Sequence, residues 1–293
     1  KVDLEGNVTA YYFKESSDST AEQEKIYITS GSAVKGDTKI YVEPKIGYVA
    51  AEGAFITING KPTDQKTAYS FELTENTAIS LDTTREKYSV SAQVQKLGEI
   101  TDAGTVTSTA DGSEIQSGTV AEGGSRIVFK AIAKRGYIFD HWIVGEDTSN
   151  TDNEYIIQEL GKETAVTAVF RENEAHTMTG IVSSANRGKL IYTLYDIYGN
   201  IVEENEDYTE AITMYKGETI DVAAVPNGGS MVEQWILTEN GKETKYVSAA
   251  KKYPGGTITM KDAEIEIQAV LTSSTYYDLY FHAEAAEGAE AGG

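Results

Sequence analysis

The sequence predicts an all-β chain, or a β-rich one with short helices, built from three small tandem β-domains in an elongated array. Three observations carry this reading. Tyr (19) and Gly (27) are frequent among the 293 residues, Pro is rare (4), and Val, Ile and Thr fill segments of alternating polarity, which is strand composition. A Gly-turn motif recurs at Gly47, Gly136 and Gly229, 89 and 93 residues apart. Each copy is preceded by an alternating stretch whose apolar residues share one face: Ile40 and Val42, then Ile127, Phe129 and Ala131, then Ile220, Val222 and Ala224. A period of two puts such a set on one side of a strand, with one face buried and one wet.

The elements follow in the same order in each copy. Opening strands are expected at residues 8–13, 88–94 and 177–182. A Gly turn, the alternating strand and the second Gly turn come next. A short aromatic strand follows, Ile-Phe-Asp-His-Trp-Ile-Val at 138–144 and Met-Val-Glu-Gln-Trp-Ile-Leu at 231–237. Trp142 and Trp235 are therefore 93 residues apart, while the first copy has Ala-Phe-Ile-Thr-Ile-Asn-Gly at 54–60 and no Trp. A polar loop then leads to closing strands at 77–81, 164–170 and 265–271. The domains are expected at 1–84, 85–172 and 173–274. Residues 275–293 read as the start of a fourth, with an opening strand at 276–282, or as a frayed tail. One helical turn fits 208–214. The chain opens at Lys1 without an apolar leader and reads as a piece of a longer protein.

Charge and cysteine usage narrow the function. There are 46 Asp+Glu against 25 Lys+Arg, a formal net charge of −21. Nucleic-acid binding rests on Lys and Arg neutralising phosphates, so it is not expected, and no apolar run approaches the ~18 residues of a membrane span. With no cysteine, disulfides, zinc thiolates and cysteine nucleophiles are excluded. There is no Gly-x-Ser-x-Gly, no His-Glu-x-x-His and no phosphate loop, so no enzyme is expected.

The pattern Gly-x6-Ala, then Gly-Tyr-x-Phe-x-x-Trp, then a Val-x-Ala-x-Phe ending resembles the divergent internalin B-type repeats of bacterial surface proteins. The match is best over 124–170, through Gly136, Tyr137, Phe139 and Trp142. The third copy matches through Pro226, Gly229, Trp235 and Ala269, and the first only through Gly47-Tyr48. The resemblance implies an extracellular, non-enzymatic repeat region at a bacterial cell surface, a small β-rich unit likened in related repeats to a β-grasp, and a stalk or spacer that projects a distal domain. The alternative is an adhesin module that itself binds host glycan or protein through an aromatic face. The units are longer than usual for such repeats, by an added opening hairpin such as 188–200.

Few residues stand out as sites. Trp142 and Trp235 recur in phase with Gly turns and read as core plugs; the competing role is a sugar-stacking platform. Tyr192, Tyr195 and Tyr198, with Tyr11-Tyr12, mark a face to test for ligand contact, because Tyr is favoured in binding faces. His141, His176 and His282 fall in no metal-ligand spacing. The acidic loops 147–154 and 203–207 offer oxygen ligands for weak Ca²⁺ at most; otherwise no cofactor is expected. An Lys–Asn isopeptide crosslink would need a buried Lys, Asn and acid in contact.

Overall fold

A computed structural model of the chain describes residues 1–14, 23–96, 102–208 and 210–274; the expected fourth opening strand and His282 lie outside them. The chain divides into two compact units, between Glu172 and Asn173. The first holds two hydrophobic cores and the second holds one.

The second core shows the common plan. Strand Lys87–Lys96 runs parallel to the closing strand Thr164–Glu172, with Val90 opposite Thr164 and Lys96 opposite Phe170. Thr119–Glu122 and Tyr137–Ile143 complete that sheet on either side. The other sheet is antiparallel, in the order Ser113–Ile115, Gly104–Ala110, Ile127–Ala133, Glu154–Ile157. Inward residues of both sheets, among them Val90, Phe129, Trp142 and Ala168, form one core. The third core repeats the plan: Ala175–Val182 runs parallel to Ile265–Ser273, and Gly188–Tyr195 pairs antiparallel with Thr219–Pro226. In the first, Val2–Gly6 runs parallel to Thr77–Leu81, and Val8–Phe13 pairs with Lys39–Pro44. Here the Tyr48–Ala50 strand and its partner Thr83–Arg85 form a separate two-stranded ladder.

Among the described residues there is no α-helix, only a 3₁₀ turn at Ala185–Arg187. A β-grasp folds a sheet around a helix, so these repeats are two-sheet sandwiches instead. Where one helical turn fitted the sequence at 208–214, the chain forms strand Ile212–Tyr215. A second correction concerns Val8–Phe13, which is not the parallel opening strand. It is the equivalent of Gly104–Ala110 and Gly188–Tyr195, and Val2–Gly6 is the opening strand. A single residue, Asn7, separates the two first-repeat strands, so the sequence offers no loop by which to tell them apart.

Two hydrogen-bonded features recur in all three repeats, and a third feature recurs in the second and third. The left-handed residue before the central strand is Asp37 (φ 63°), Gly124 (75°) and Gly217 (87°). Its N–H donates to Leu73, Leu160 and Met260 O at 2.8, 2.8 and 2.9 Å, and those residues donate back to Thr38, Ser125 and Glu218 O, each at 2.9 Å. Leu73, Leu160 and Met260 are buried, so each clasp ties a turn to the core. Aspartate tolerates the left-handed region better than most side chains, which is why Asp37 can stand where the others have Gly. Second, Gly47, Gly136 and Gly229 take φ of 81°, 87° and 78° in turns closed by N–H donation from Tyr48, Tyr137 and Ser230 to Lys45, Lys134 and Asn227 O, each at 3.0 Å. Positive φ in the third position of such a turn selects Gly. Third, the aromatic strand is bulged between Phe139 and His141, and again between Val232 and Gln234. Strict alternation would send residues three apart to opposite faces; the extra residue brings Phe139 and Trp142, or Val232 and Trp235, to the same one.

Removing a buried Leu from a clasp leaves a cavity beside a turn that has lost its anchor. Leu160→Ala is expected to destabilise the second repeat by about 2–5 kcal/mol. Urea unfolding followed by Trp142 fluorescence in a Trp235→Phe background measures it; a change below about 1 kcal/mol contradicts the role given to the clasp.

Candidate functional site

The most constrained place in the first compact unit lies between its two cores. Strand Thr83–Arg85 pairs with Tyr48–Ala50, which brings the end of the first repeat back against its own second Gly turn. Glu86 N–H donates to Gly47 O at 3.0 Å, and Gly123 N–H, from the second repeat, donates to Glu86 O at 2.7 Å. Gly47 and Gly123 meet backbone to backbone: a Cβ on Gly47 would stand 2.0 Å from Gly124 N, and one on Gly123 would stand 2.2 Å from Gly47 O. Arg85 closes the contact. Its Nη1 lies 2.7 Å from Glu122 Oε2, its Nε donates to Tyr48 Oη at 3.2 Å, and its guanidinium sits 5.7 Å from the Tyr48 ring centroid. The ion pair is exposed and adds little by itself; the backbone packing fixes the angle between the first two repeats. Gly47 is thus needed twice, for its positive φ and for the space it leaves.

The residues singled out in the sequence fall as follows. Trp142 and Trp235 are 1% and 0% exposed. Their indole N–H groups donate to Asp152 O at 2.9 Å and Ala250 O at 3.0 Å, so each ties the following loop to the core. In the first repeat Ile56 takes this place: it is fully buried, and its N–H donates to Gln65 O at 2.8 Å. Gly136 is the turn glycine, while Tyr137 and Phe139 pack at the margin of the second core. The structure does not gather Tyr192, Tyr195 and Tyr198 on one face. Tyr192 is 4% exposed, points into the third core with Leu190 and Leu194, and donates its hydroxyl to Glu203 Oε1 at 2.7 Å. Tyr195 is half-buried on the opposite face and Tyr198 is exposed in the hairpin turn.

The acidic loops turn their oxygens on themselves. Asp147 Oδ1 accepts from Ser149 N–H, which holds its carboxyl below the usual aspartate range, and Asn150 Oδ1 accepts from Asp152 N–H. Asn205 Oδ1 likewise accepts from Asp207 N–H. Three ligand-type side chains do converge elsewhere, Glu174, His176 and Asp262, with donor atoms within 4.8 Å of one another. The Lys216 ammonium lies 2.6 Å from Asp262 and 3.5 Å from Glu174 and already supplies a cation there. Near it Asn173 and Glu218 are buried, but no lysine side chain is buried among the described residues. His141 Nδ1 stands 2.7 Å from Asp140 Oδ2, and Asp140 also pairs with Arg171.

An aromatic cluster on the first repeat was only half visible in the sequence. Tyr27, Tyr11 and Tyr41 lie side by side across three strands on the outer face of one sheet, with centroids 5.9 and 5.5 Å apart, and Phe13 packs on Tyr11 and Tyr41. Tyr11 carried a signal through its neighbour Tyr12; Tyr27 and Tyr41 join it only through strand pairing.

No curated protein matches the sequence. Among solved structures, the pilus adhesin SpaC from Lactobacillus rhamnosus GG in its open conformation aligns over 95% of this chain and 44% of its own, at 10% identity and a TM-score of 0.34. The chain thus spans less than half of that adhesin. The major pilin T-13 from Streptococcus pyogenes aligns over 65% of this chain and 98% of its own, at 12% identity and a TM-score of 0.27. The Bacillus anthracis TIE protein aligns over 93% and 50%, at 12% and 0.22. The model of the divergent InlB B-repeat domain family matches residues 103–174. That stretch takes in the hairpin 104–115 and leaves out strand Lys87–Lys96. Over residues 103–174, the chain is thus similar to the divergent InlB B-repeat domain.

Proposed function

We propose that this chain is a spacer region of an extracellular bacterial surface protein, non-enzymatic, whose repeats project a distal domain. The observation that carries the reading is the contact of Gly47 with Gly123 and Gly124, where main chain packs on main chain between two repeats that each own a core. A projecting element has to transmit position along its length, and a joint without long side chains holds its angle better than a flexible linker does. Supporting it are the clasp, present in all three repeats, and the InlB B-repeat match over 103–174. On this reading the domains are 1–84, 85–172 and 173–274, acting in series. No helix among the described residues is long and apolar enough to cross a membrane. The adhesin alternative is favoured by one observation, the aromatic cluster on the first repeat.

Two measurements test the spacer. Small-angle scattering should give a radius of gyration well above the about 19 Å of a compact globule of this length; a value near that figure contradicts an extended array. The chain has no cysteine, so a pair of introduced cysteines can carry spin labels on exposed positions of the first and second repeats. The distance distribution should be narrow in the native chain and clearly broader in Gly47→Ala. An unchanged distribution shows that the glycine contact does not set the joint.

A further inference from the structure

The outer face of the first repeat combines stacked rings with lysines, in a molecule that is otherwise strongly acidic. Tyr11 and Tyr41 are nearly parallel, 11° between planes. Tyr27, at the edge of the same row, is 63% exposed. Lys25 Nζ stands 4.1 Å from the Tyr11 centroid, and Lys39 Nζ stands 5.4 Å from that of Tyr41. Beside the row a cleft of about 660 Å³ is walled in part by Phe13, Tyr41, Lys14, Lys35, Lys39 and Asp37.

Lys14 is paired with Glu24 at 2.9 Å. Asp37 lines the cleft, Glu72 stands opposite Lys39 on the neighbouring strand, and Glu43 lies near Lys25. None of Lys25, Lys35 and Lys39 has a carboxylate partner within 4.0 Å among the described residues. In a chain with 46 acidic residues to 25 basic ones, Lys25 and Lys39 stand over aromatic rings and Lys35 lines the cleft beside them, none with a carboxylate partner among the described residues. An aromatic face packs against the C–H groups of a sugar ring, and ammonium groups at its margin attract an anion. Cross-strand tyrosines also stabilise a sheet, but that role uses neither the exposed Tyr27 nor the ammonium groups of Lys35 and Lys39.

We propose that this face binds an acidic oligosaccharide, made of pyranose rings that carry carboxylates. Tyr27 and the edge of Tyr41 contact the rings, and Lys25, Lys35 and Lys39 face the carboxylates. The proposal deepens the adhesin alternative and does not depend on the spacer reading. An extended chain that fails to bind leaves the spacer standing, and a compact chain that binds leaves this site standing.

The test is calorimetric titration of the full chain with trigalacturonate, with maltotriose and a sulfated disaccharide as comparisons. Saturable binding of trigalacturonate that weakens as ionic strength rises is expected. Tyr27→Ala and the double variant Lys35→Gln with Lys39→Gln should each weaken it by about tenfold or more. Tyr198→Ala, in the third repeat, should leave it unchanged. Circular dichroism and the urea midpoint confirm that the variants fold, and Lys25→Gln is the reserve variant should Tyr27→Ala not. Absence of saturable binding, equal binding of maltotriose, preference for the sulfated sugar, or binding indifferent to both the tyrosine and lysine changes each overturns the proposal.

Discussion

The repeats depend on one small constraint, a turn residue held left-handed and tied by two main-chain hydrogen bonds to a buried Leu or Met far along the chain. Asp37 with Leu73, Gly124 with Leu160 and Gly217 with Met260 are three copies of that clasp. Everything between the two partners has to return to the same point. The central strand leaves the turn, the aromatic strand follows the second Gly turn, and the loop brings the chain back to the clasp before the closing strand. A backbone N–H or C=O buried without a partner is costly, so a clasp that closes both at a core residue fixes where the sandwich ends. The loops between can vary in length without disturbing it, which matches the range from 36 residues in the first two repeats to 43 in the third.

The indole of Trp142 or Trp235 acts alongside the clasp. It fills the space between the sheets and uses its N–H to hold the polar loop. A buried ring with a satisfied polar tip gains area without leaving a donor unpaired. In the first repeat Ile56 fills less space, and the closing sheet there is broken into shorter ladders. A smaller plug and a shorter sheet accompany each other in that repeat, and its second Gly turn is also the one that receives the neighbouring repeat at Gly47.

Much of this was legible in the sequence because period-two strands and in-phase glycines are local signals. The closing strands 164–170 and 265–271, the aromatic strands and the turn glycines Gly47, Gly136 and Gly229 all announce themselves within a few residues, though the bulges in the aromatic strands do not. The clasp partners do not, since Leu160 reads as one more apolar residue until the chain folds back 36 positions. Parallel pairing is equally silent, and Asn7 alone cannot mark the end of a strand. The aromatic face was hidden for the same reason, because Tyr11, Tyr27 and Tyr41 become neighbours only by strand pairing. Tyr192 misled in the opposite way: its alternation with Leu190 and Leu194 puts it on the core face, which composition does not reveal.

Native-state hydrogen exchange read residue by residue tests the clasp most directly. The account predicts that the amides of Asp37, Gly124 and Gly217, and of Leu73, Leu160 and Met260, are among the slowest in their repeats and exchange only through unfolding of the whole repeat, with a denaturant dependence matching global unfolding. Fast exchange of these amides, insensitive to denaturant and typical of local fraying, would contradict it: the turns would then be consequences of the sandwich, and not what closes it.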